Sequence, residues 1–388
     1  MRIGYVVVSV YGSGGTTRTV VNQANALCGT HEVEIVSLYR HRRTPRLPID
    51  PRVRLIALTE LGLDGRPHPD RTVARLASAV LRLPNPWPHR HDHPFRRWRP
   101  VVDARLLRYF RSRRDGVLVT TRPGLNLLAA WMAPRRLIRV AQDHRNLAAY
   151  PPALRRSIVR AYRRLDALVV LTERDRDDYR RAFGDLAPRL ERIPNGVPAA
   201  RLAPADLDAK VIVAAGRLQP SKGFDLLLDA FDQVTAAHPD WQLWIFGAGE
   251  QRADLAAQIE RLGLTGRALL RGFVHPLDER LVAASVFVLS SRYEGLPMAM
   301  LEAMAAGLPV VAFDCPTGPA EVISHGRSGL LVPPLDVRAL ADAICELIES
   351  PTRRRAMGAA AREESRRYRI GAVAQRWEAL FSSLARGE

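Results

Sequence analysis

Ser290-Ser291-Arg292-Tyr293-Glu294-Gly295-Leu296-Pro297-Met298-Ala299-Met300-Leu301-Glu302 follows the apolar run Val286-Phe287-Val288-Leu289 and leads into a helical pattern of Met298, Leu301, Glu302 and Ala305. A short apolar run of this kind reads as a strand, so the stretch is a strand–turn–helix unit. Pro297 fits the first turn of the helix, where its missing N–H costs nothing. The first-turn N–H groups then point at whatever lies above the strand end, and they favour an anion there. Glu294 stands just before the helix and Glu302 about a turn inside it. A phosphate-bearing ligand with hydroxyls at both ends suits such an element. Taken alone, a surface helix start with two solvated glutamates suits it equally.

The same alternation extends to both sides of this stretch. Val211–Ala215 reads as a strand, followed by Gly216-Arg217-Leu218 and by Ser221-Lys222-Gly223-Phe224-Asp225, which opens a helix through Leu227, Leu228 and Phe231. Arg217 and Lys222, across one strand-to-helix loop, offer a planar fork and a point charge that can converge on a diphosphate. Solvated loop cations are the plainer alternative. Leu243–Phe246 with Gly247-Ala248-Gly249 is another strand and glycine turn. Further strands are expected at Ala268–Arg271, Val310–Phe313 and Leu330–Val332, and helices at Val337–Glu349, Arg353–Arg367 and Ala372–Leu384.

The first half has the same grammar. Ile3–Val8 reads as a buried parallel strand, Gly12-Ser13-Gly14-Gly15-Thr16-Thr17 as a loop, Val20 to Leu27 as a helix and Val33–Leu38 as a second strand. This is a Rossmann-like opening. The loop is not G-x-G-x-x-G, and Tyr39-Arg40-His41 rather than an acidic residue closes the second strand, which argues against a nicotinamide or flavin. Strands at Gly116–Thr121, Ile138–Ala141 and Ala167–Leu171 alternate with helices at Val101–Phe110, Leu125–Met132 and Leu154–Leu165, and Thr172 is placed to cap one more. Gln142-Asp143-His144-Arg145-Asn146 lies beyond a strand's carboxyl end, where open α/β sheets put their sites. His144 is therefore a ligand candidate, with a hydrogen-bonded structural histidine as the alternative.

At 388 residues the chain suggests two domains. The linker reads at 198–209. Cys28, Cys315 and Cys345 are scattered and odd in number, which points to a reducing, cytoplasmic setting. No apolar run approaches the roughly 20 residues of a membrane-spanning helix. The net charge of +18 is uneven. Residues 1–200 hold 37 Lys+Arg against 17 Asp+Glu, while the remainder holds 21 against 23. An anionic partner is expected in the first half: a membrane surface, a phosphorylated acceptor or a nucleic acid. An arginine-rich composition, with Lys210 and Lys222 the only lysines, is the competing explanation, but it leaves the neutral second half unexplained.

Between 61 and 100 the alternation breaks. Arg71–Leu83 fits a helix, and the segment 84–99 interleaves Trp87 and Trp98 with basic residues and prolines, as at a membrane interface or an anionic polymer. His89, His91, His93 and Asp92 have metal-ligand chemistry, but a proline-rich loop lacks the rigid frame a site needs, and no metal is expected.

Together the motifs resemble the retaining, nucleotide-sugar-dependent glycosyltransferases of group 1 (family four). The resemblance covers most of the chain and is strongest over 190–335. It rests on Ile193-Pro194-Asn195-Gly196-Val197, Gly216-Arg217-Leu218 with Lys222-Gly223-Phe224-Asp225, Phe246-Gly247-Ala248-Gly249, and Glu294-Gly295-Leu296-Pro297 with Glu302. Gly307-Leu308-Pro309-Val310-Val311 and Gly326-Arg327-Ser328-Gly329-Leu330-Leu331-Val332 add to it. The resemblance implies the GT-B architecture, an α/β fold of two facing Rossmann-like domains with parallel sheets, at 1–197 and 198–367, and a helix at 368–388 crossing back to the first. It implies that Arg217 and Lys222 bind the donor's diphosphate and Glu302 the ribose. Glu294 and the amides of Gly295, Leu296 and Met298 would hold sugar hydroxyls and phosphate. Gly14 and Gly15 would face donor and acceptor, and His144 the transferred sugar.

The implied reaction moves a hexose or N-acetylhexosamine from a nucleotide sugar to a glycan, lipid-linked or cell-wall hydroxyl, with no metal or other cofactor. Asp314-Cys315-Pro316-Thr317-Gly318-Pro319 resembles members that use UDP-sugars. Expected partners are that donor, an anionic or glycan acceptor and the inner face of the plasma membrane, with no nucleic acid. A non-catalytic polymer- or membrane-binding protein and a nucleotide-sugar epimerase remain as alternatives.

Overall fold

The computed structural model describes residues 1–60, 92, 100–199 and 203–387. The helix expected over 71–83, the aromatic and basic stretch 84–99 apart from Asp92, and His89, His91 and His93 lie outside the described residues.

The chain forms two compact units. One comprises Met1–Gly196 with Val373–Glu388, the other Val197–Ala372. In the first, β1 (Arg2–Val7), β2 (Glu32–Arg40), β3 (Arg54–Glu60), β4 (Val117–Thr120), β5 (Ile138–Gln142), β6 (Ala167–Val170) and β7 (Arg189–Arg192) make a parallel sheet in the order β3-β2-β1-β4-β5-β6-β7. Its inner strands are buried on both faces, which is why they read as continuous apolar runs. Successive side chains of one strand enter different cores. Val6, Leu118, Ala141 and Leu168 pack on one side, with Tyr162 and Tyr179. Tyr5, Val119, Val140 and Val169 pack on the other, with Val20 and Trp377.

β3 and β7 are not among the strands read from the sequence. Both are edge strands, largely exposed or half-buried: Arg54-Leu55-Ile56-Ala57-Leu58-Thr59-Glu60 has a four-residue apolar run between charged ends, and Arg189-Leu190-Glu191-Arg192 is mostly charged. An edge strand owes its state to pairing with a neighbour rather than to an apolar pattern of its own. Thr172 does cap the helix Glu173–Phe183, its hydroxyl accepting from the Asp175 N–H at 3.0 Å. The helix after β4 spans Pro123–Met132, starting at Pro123 rather than beyond Gly124.

The second unit is built on β8 (Val211–Ala215), β9 (Gln242–Phe246), β10 (Ala268–Gly272), β11 (Val286–Leu289), β12 (Val310–Phe313) and β13 (Gly329–Val332), parallel in the order β10-β9-β8-β11-β12-β13. The order reverses between β8 and β11, so the loops that leave these two strands diverge to opposite faces and open a crevice at their carboxyl ends.

The last helix, Ile370–Arg386, belongs to the first unit from Val373 onward. Val373, Trp377, Leu380 and Phe381 join the core under β1. Ser383 Oγ accepts from Arg189 at 2.8 Å, and Glu378 accepts from Thr30 at 2.8 Å. Trp377 is fully buried, with its ring 5.4 Å from that of Phe381. Trp377→Ala is expected to destabilise the first unit by about 3–5 kcal/mol through lost burial and a residual cavity. Chemical unfolding followed by circular dichroism checks this, and an unshifted transition would mean that the helix contributes little to that core.

Candidate active site

Two loops meet at the crevice of the second sheet. The one after β8 carries Gly216 to Gly223, with a single 3₁₀ turn at Pro220–Lys222 before the helix Phe224–Ala237. The one after β11 carries Ser290 to Pro297 before the helix Met298–Ala305. Gly223 permits the approach. Its φ is +61°, and a Cβ there would fall 2.0 Å from the Ser290 carbonyl oxygen. Across this contact the Arg292 N–H donates to Ser221 O at 2.9 Å, and Ser290 Oγ donates to Lys222 O at 3.0 Å. Arg292 also forks onto Asp225 at 2.8 and 2.6 Å, which holds that carboxyl below its ordinary range.

Lys222 Nζ lies 2.5 Å from Glu294 Oε1, and Ser291 Oγ donates to the same oxygen at 2.6 Å. The lysine side chain is 22% exposed and the carboxylate 8%. A carboxylate this buried needs its charge met, and the ammonium and hydroxyl do so. Its backbone is fixed as well. The Glu294 N–H donates to Pro316 O at 3.0 Å, and Thr317 N–H returns a bond to Glu294 O at 2.9 Å. The charge of Glu294 adds to burial in raising the Cys315 thiol to about 12, so Cys315 stays a neutral thiol.

The helix start differs from expectation. Pro297 is its N-cap, with φ −72° and ψ 111°, and its carbonyl accepts from the Leu301 N–H at 3.2 Å. The chain enters extended, as an N-cap residue does, and Gly318 packs closely against this entry: a Cβ on Gly318 would lie 2.3 Å from Gly295 O and 3.3 Å from Pro297 Cδ. With proline outside the first turn, that turn starts at Met298 and none of its N–H groups is replaced by a ring. Pro297 has no side chain to cap them. Gly295 and Leu296 lead into this turn, and Glu302 sits half-buried one turn inside the helix.

Arg217 is exposed, 3.5 Å from Gln219 Oε1, in the same loop as Lys222. The Gly247-Ala248-Gly249 turn braces that loop. Added Cβ atoms on Gly247 and Gly249 would lie 1.8 Å from Gly216 O and 2.1 Å from Leu218 O, and the Leu218 N–H donates to Ala248 O at 3.1 Å. These glycines serve loop-against-loop packing.

Gly14, Gly15 and His144 belong to the first unit. Gly14 is the N-cap of the helix Gly15–Leu27, and Gly15 is exposed with open space where a Cβ would stand. Thr19 on that helix donates to Asn195 at 3.0 Å, and Asn22 donates to Gly196 O at 2.9 Å. His144, just past β5, is held neutral: burial of the ring, with the Arg122 charge adding, brings its pKa down to about 3. Its Nε2 is buried and without a hydrogen-bond partner among the described residues. Asp92, considered above as a metal ligand, instead takes both arms of Arg122 at 2.8 and 2.7 Å and the Gly124 N–H at 3.0 Å.

Sequence reasoning missed several of these partners. Ser291 lay inside the stretch that was read, but only the folded turn aims its hydroxyl at Glu294. Arg292 and Asp225 are 67 residues apart, and nothing in their separate contexts pairs them. Asp143 was passed over beside His144. It is buried, and Tyr150 Oη at 3.1 Å and Tyr179 Oη donate to its two oxygens. Burial nevertheless dominates and pushes its carboxyl up to about 7.

The comparisons with known proteins agree with this geometry. The family model for glycosyl transferases group 1 matches residues 209–350. The S. aureus TarM mutant crystallised with fondaparinux, alpha-GlcNAc-glycerol and UDP superposes with a TM-score of 0.80 at 17% identity, over 98% of this chain and 99% of that one. The fold is therefore that of the GT-B glycosyltransferases. An exopolysaccharide phosphotransferase of Streptomyces coelicolor is 36% identical over 99% of this chain, which spans 41% of that relative's length. A GDP-mannose-dependent alpha-(1-6)-phosphatidylinositol monomannoside mannosyltransferase of Mycolicibacterium smegmatis is 31% identical over 61% of this chain and 67% of its own. The chain belongs to the glycosyl transferases group 1 family.

Two outcomes follow from the buried charges. Lys222→Ala leaves Glu294 buried without its counter-ion and is expected to cost up to about 3 kcal/mol. Adding Glu294→Gln should recover most of that loss, a coupling that a double-mutant cycle in urea measures directly. For Asp143, the folded carboxyl binds its proton more tightly than the unfolded chain's. Its contribution is complete below the ordinary value of 3.8 and is lost as pH rises through about 7. Asp143→Asn, which cannot ionise, should remove that loss; equal pH slopes for the two proteins would contradict it.

Proposed function

We propose that the chain is a retaining glycosyltransferase that moves a hexose or N-acetylhexosamine from a UDP-sugar to a hydroxyl of a glycan, lipid-linked saccharide or cell-wall polymer. The observation that carries this reading is the meeting of Lys222 with Glu294 at the carboxyl edge of the second sheet, ahead of the helix at Met298. Cation, carboxylate and helix start together suit a ligand that has a diphosphate at one end and hydroxyls at the other. The UDP in the TarM crystals supports the nucleotide, and the mannosyltransferase relative, named for GDP-mannose, makes GDP the donor to test against it.

In this scheme the bond between the anomeric carbon and the phosphate oxygen breaks, and its electron pair stays on the diphosphate. Lys222, Arg217 and the first-turn amides of the helix stabilise that growing charge, with no metal called for. The acceptor hydroxyl oxygen bonds to the anomeric carbon on the face that the diphosphate leaves, and its proton passes to a diphosphate oxygen. The α configuration is thereby retained. Both contacts to the Glu294 carboxylate fall on Oε1, so Oε2 is the atom assigned to a sugar hydroxyl. Glu302 takes the ribose hydroxyls. His144, neutral at physiological pH, acts as a hydrogen-bonding group toward the sugar rather than as a cation. Gly14 and Gly15 leave room for a ligand to approach the backbone.

A panel of nucleotide sugars, followed by nucleoside diphosphate release, tests this reading. One donor should stand out. With that donor, Lys222→Ala and Glu302→Ala should each lower kcat/KM by about 100-fold or more. Full activity in either folded variant would overturn the site, and no release from any donor would overturn the activity.

A further inference from the structure

The contacts to the Glu294 carboxylate all fall on one of its two oxygens. Among the described residues, Lys222 Nζ and Ser291 Oγ both reach Oε1, at 2.5 and 2.6 Å, and none bonds to Oε2. The backbone of Glu294 is fixed from a later loop. Its N–H donates to Pro316 O at 3.0 Å, while the Thr317 N–H and hydroxyl donate to its carbonyl at 2.9 and 3.2 Å. The freedom that remains lies in the side chain, and the last torsion of a glutamate is broad and roughly two-fold. Left to itself, the carboxylate can turn either oxygen to a ligand.

The two partners restrain that torsion unequally. An ammonium is a compact point charge on a flexible stem, so Lys222 can meet either oxygen. A serine has one short arm. Ser291 is buried in the same turn as Glu294, and the residues on either side of it are tied to the facing loop. Ser290 Oγ donates to Lys222 O at 3.0 Å, and the Arg292 N–H donates to Ser221 O at 2.9 Å. The Ser291 hydroxyl therefore holds a set position, from which it selects one oxygen and the plane of the carboxylate. Ser290 gives the contrast. It is the same residue type and also buried, but its hydroxyl goes to the backbone and not to the carboxylate.

We propose that Ser291 is a positioning residue that sets which sugar hydroxyl the site demands. By pinning Oε1 it presents Oε2 along one direction, so a hydroxyl on the matching carbon and in the matching configuration is met and its epimer is not. This rests on the reading of the crevice as a nucleotide-sugar site, and it goes further by placing selectivity on a residue that acts through Glu294. A nearly buried acceptor aimed one way discriminates better than one free to turn, because a ligand without the matched hydroxyl leaves a charged oxygen unpartnered. The diphosphate end falls to Lys222, Arg217 and the first-turn amides, so it is expected to be indifferent to Ser291.

The test is calorimetric binding to the whole protein, which needs no turnover, with thermal unfolding as the check that each variant is folded. The tightest binder among UDP-glucose, UDP-N-acetylglucosamine and GDP-mannose is compared with its analogues deoxygenated at each sugar hydroxyl in turn. For the wild-type protein, one deoxygenation should weaken binding about 10- to 100-fold, the range of a hydrogen bond to a charged group. In Ser291→Ala that loss should shrink to about threefold, while free UDP or GDP binds within a few-fold of wild type. Ser291→Thr, which keeps a hydroxyl, should show the full loss. Ser290→Ala should weaken parent and analogue alike and leave their ratio unchanged. An undiminished loss in Ser291→Ala, the same narrowing in Ser290→Ala, Ser291→Thr behaving as Ser291→Ala, or a wild type indifferent to every deoxygenation would overturn the proposal while leaving the nucleotide-sugar reading in place. A wild type that binds no nucleotide sugar at all would overturn that reading itself, and the proposal with it.

Discussion

The ion pair between Lys222 and Glu294 ties together the two loops on which the second unit's site depends. Each residue alone would be awkward: a lysine in a chain that otherwise uses arginine almost throughout, and a carboxylate taken nearly out of water. Together they neutralise one another where the strand order reverses. The backbone approach that brings them together is made possible by Gly223, since any Cβ would collide with the Ser290 carbonyl. Arg292 then clamps the outer side of the same junction through Asp225, Pro220 and Ser221. Charge, glycine and clamp are one device.

Glycines recur wherever two loops of this unit must touch. Gly247 and Gly249 press against the loop that holds Arg217, and Gly318 presses against Gly295 and Pro297. Such contacts leave no room for side chains, and they hold the loops in place without covering the polar groups at the strand ends. In the first unit the site candidate is supported differently. The turn bearing His144 is backed by Asp143, whose carboxyl takes two tyrosine hydroxyls in the core. Burial there keeps the imidazole neutral and the neighbouring carboxyl reluctant to ionise.

Much of this organisation was legible in the sequence. Inner strands of a parallel sheet are apolar throughout, so Val117–Thr120, Val211–Ala215 and Val310–Phe313 stand out without any partner being known. The edge strand Arg189–Arg192 does not, because its mostly charged sequence owes its state to a neighbour, and Arg54–Glu60 was passed over despite its short run Leu55-Ile56-Ala57-Leu58. The motif around Glu294 identified a carboxylate before a helix, yet Pro297 was placed one position too far inside it. The Gly318 contact against that entry comes from a later loop and leaves no mark on the stretch itself.

What the sequence by itself determined is the series of strand and helix units, the loop cations, the two glutamates and the uneven charge, since each is a property of local composition and spacing. Only the tertiary structure decided that Ser291 and Lys222 share one oxygen of Glu294 and that Trp377 fills the core beneath the first strand. Those facts depend on which distant side chains fold against one another. Pairing, burial and charge balance are set by neighbours in space, and the order of residues along the chain does not name them.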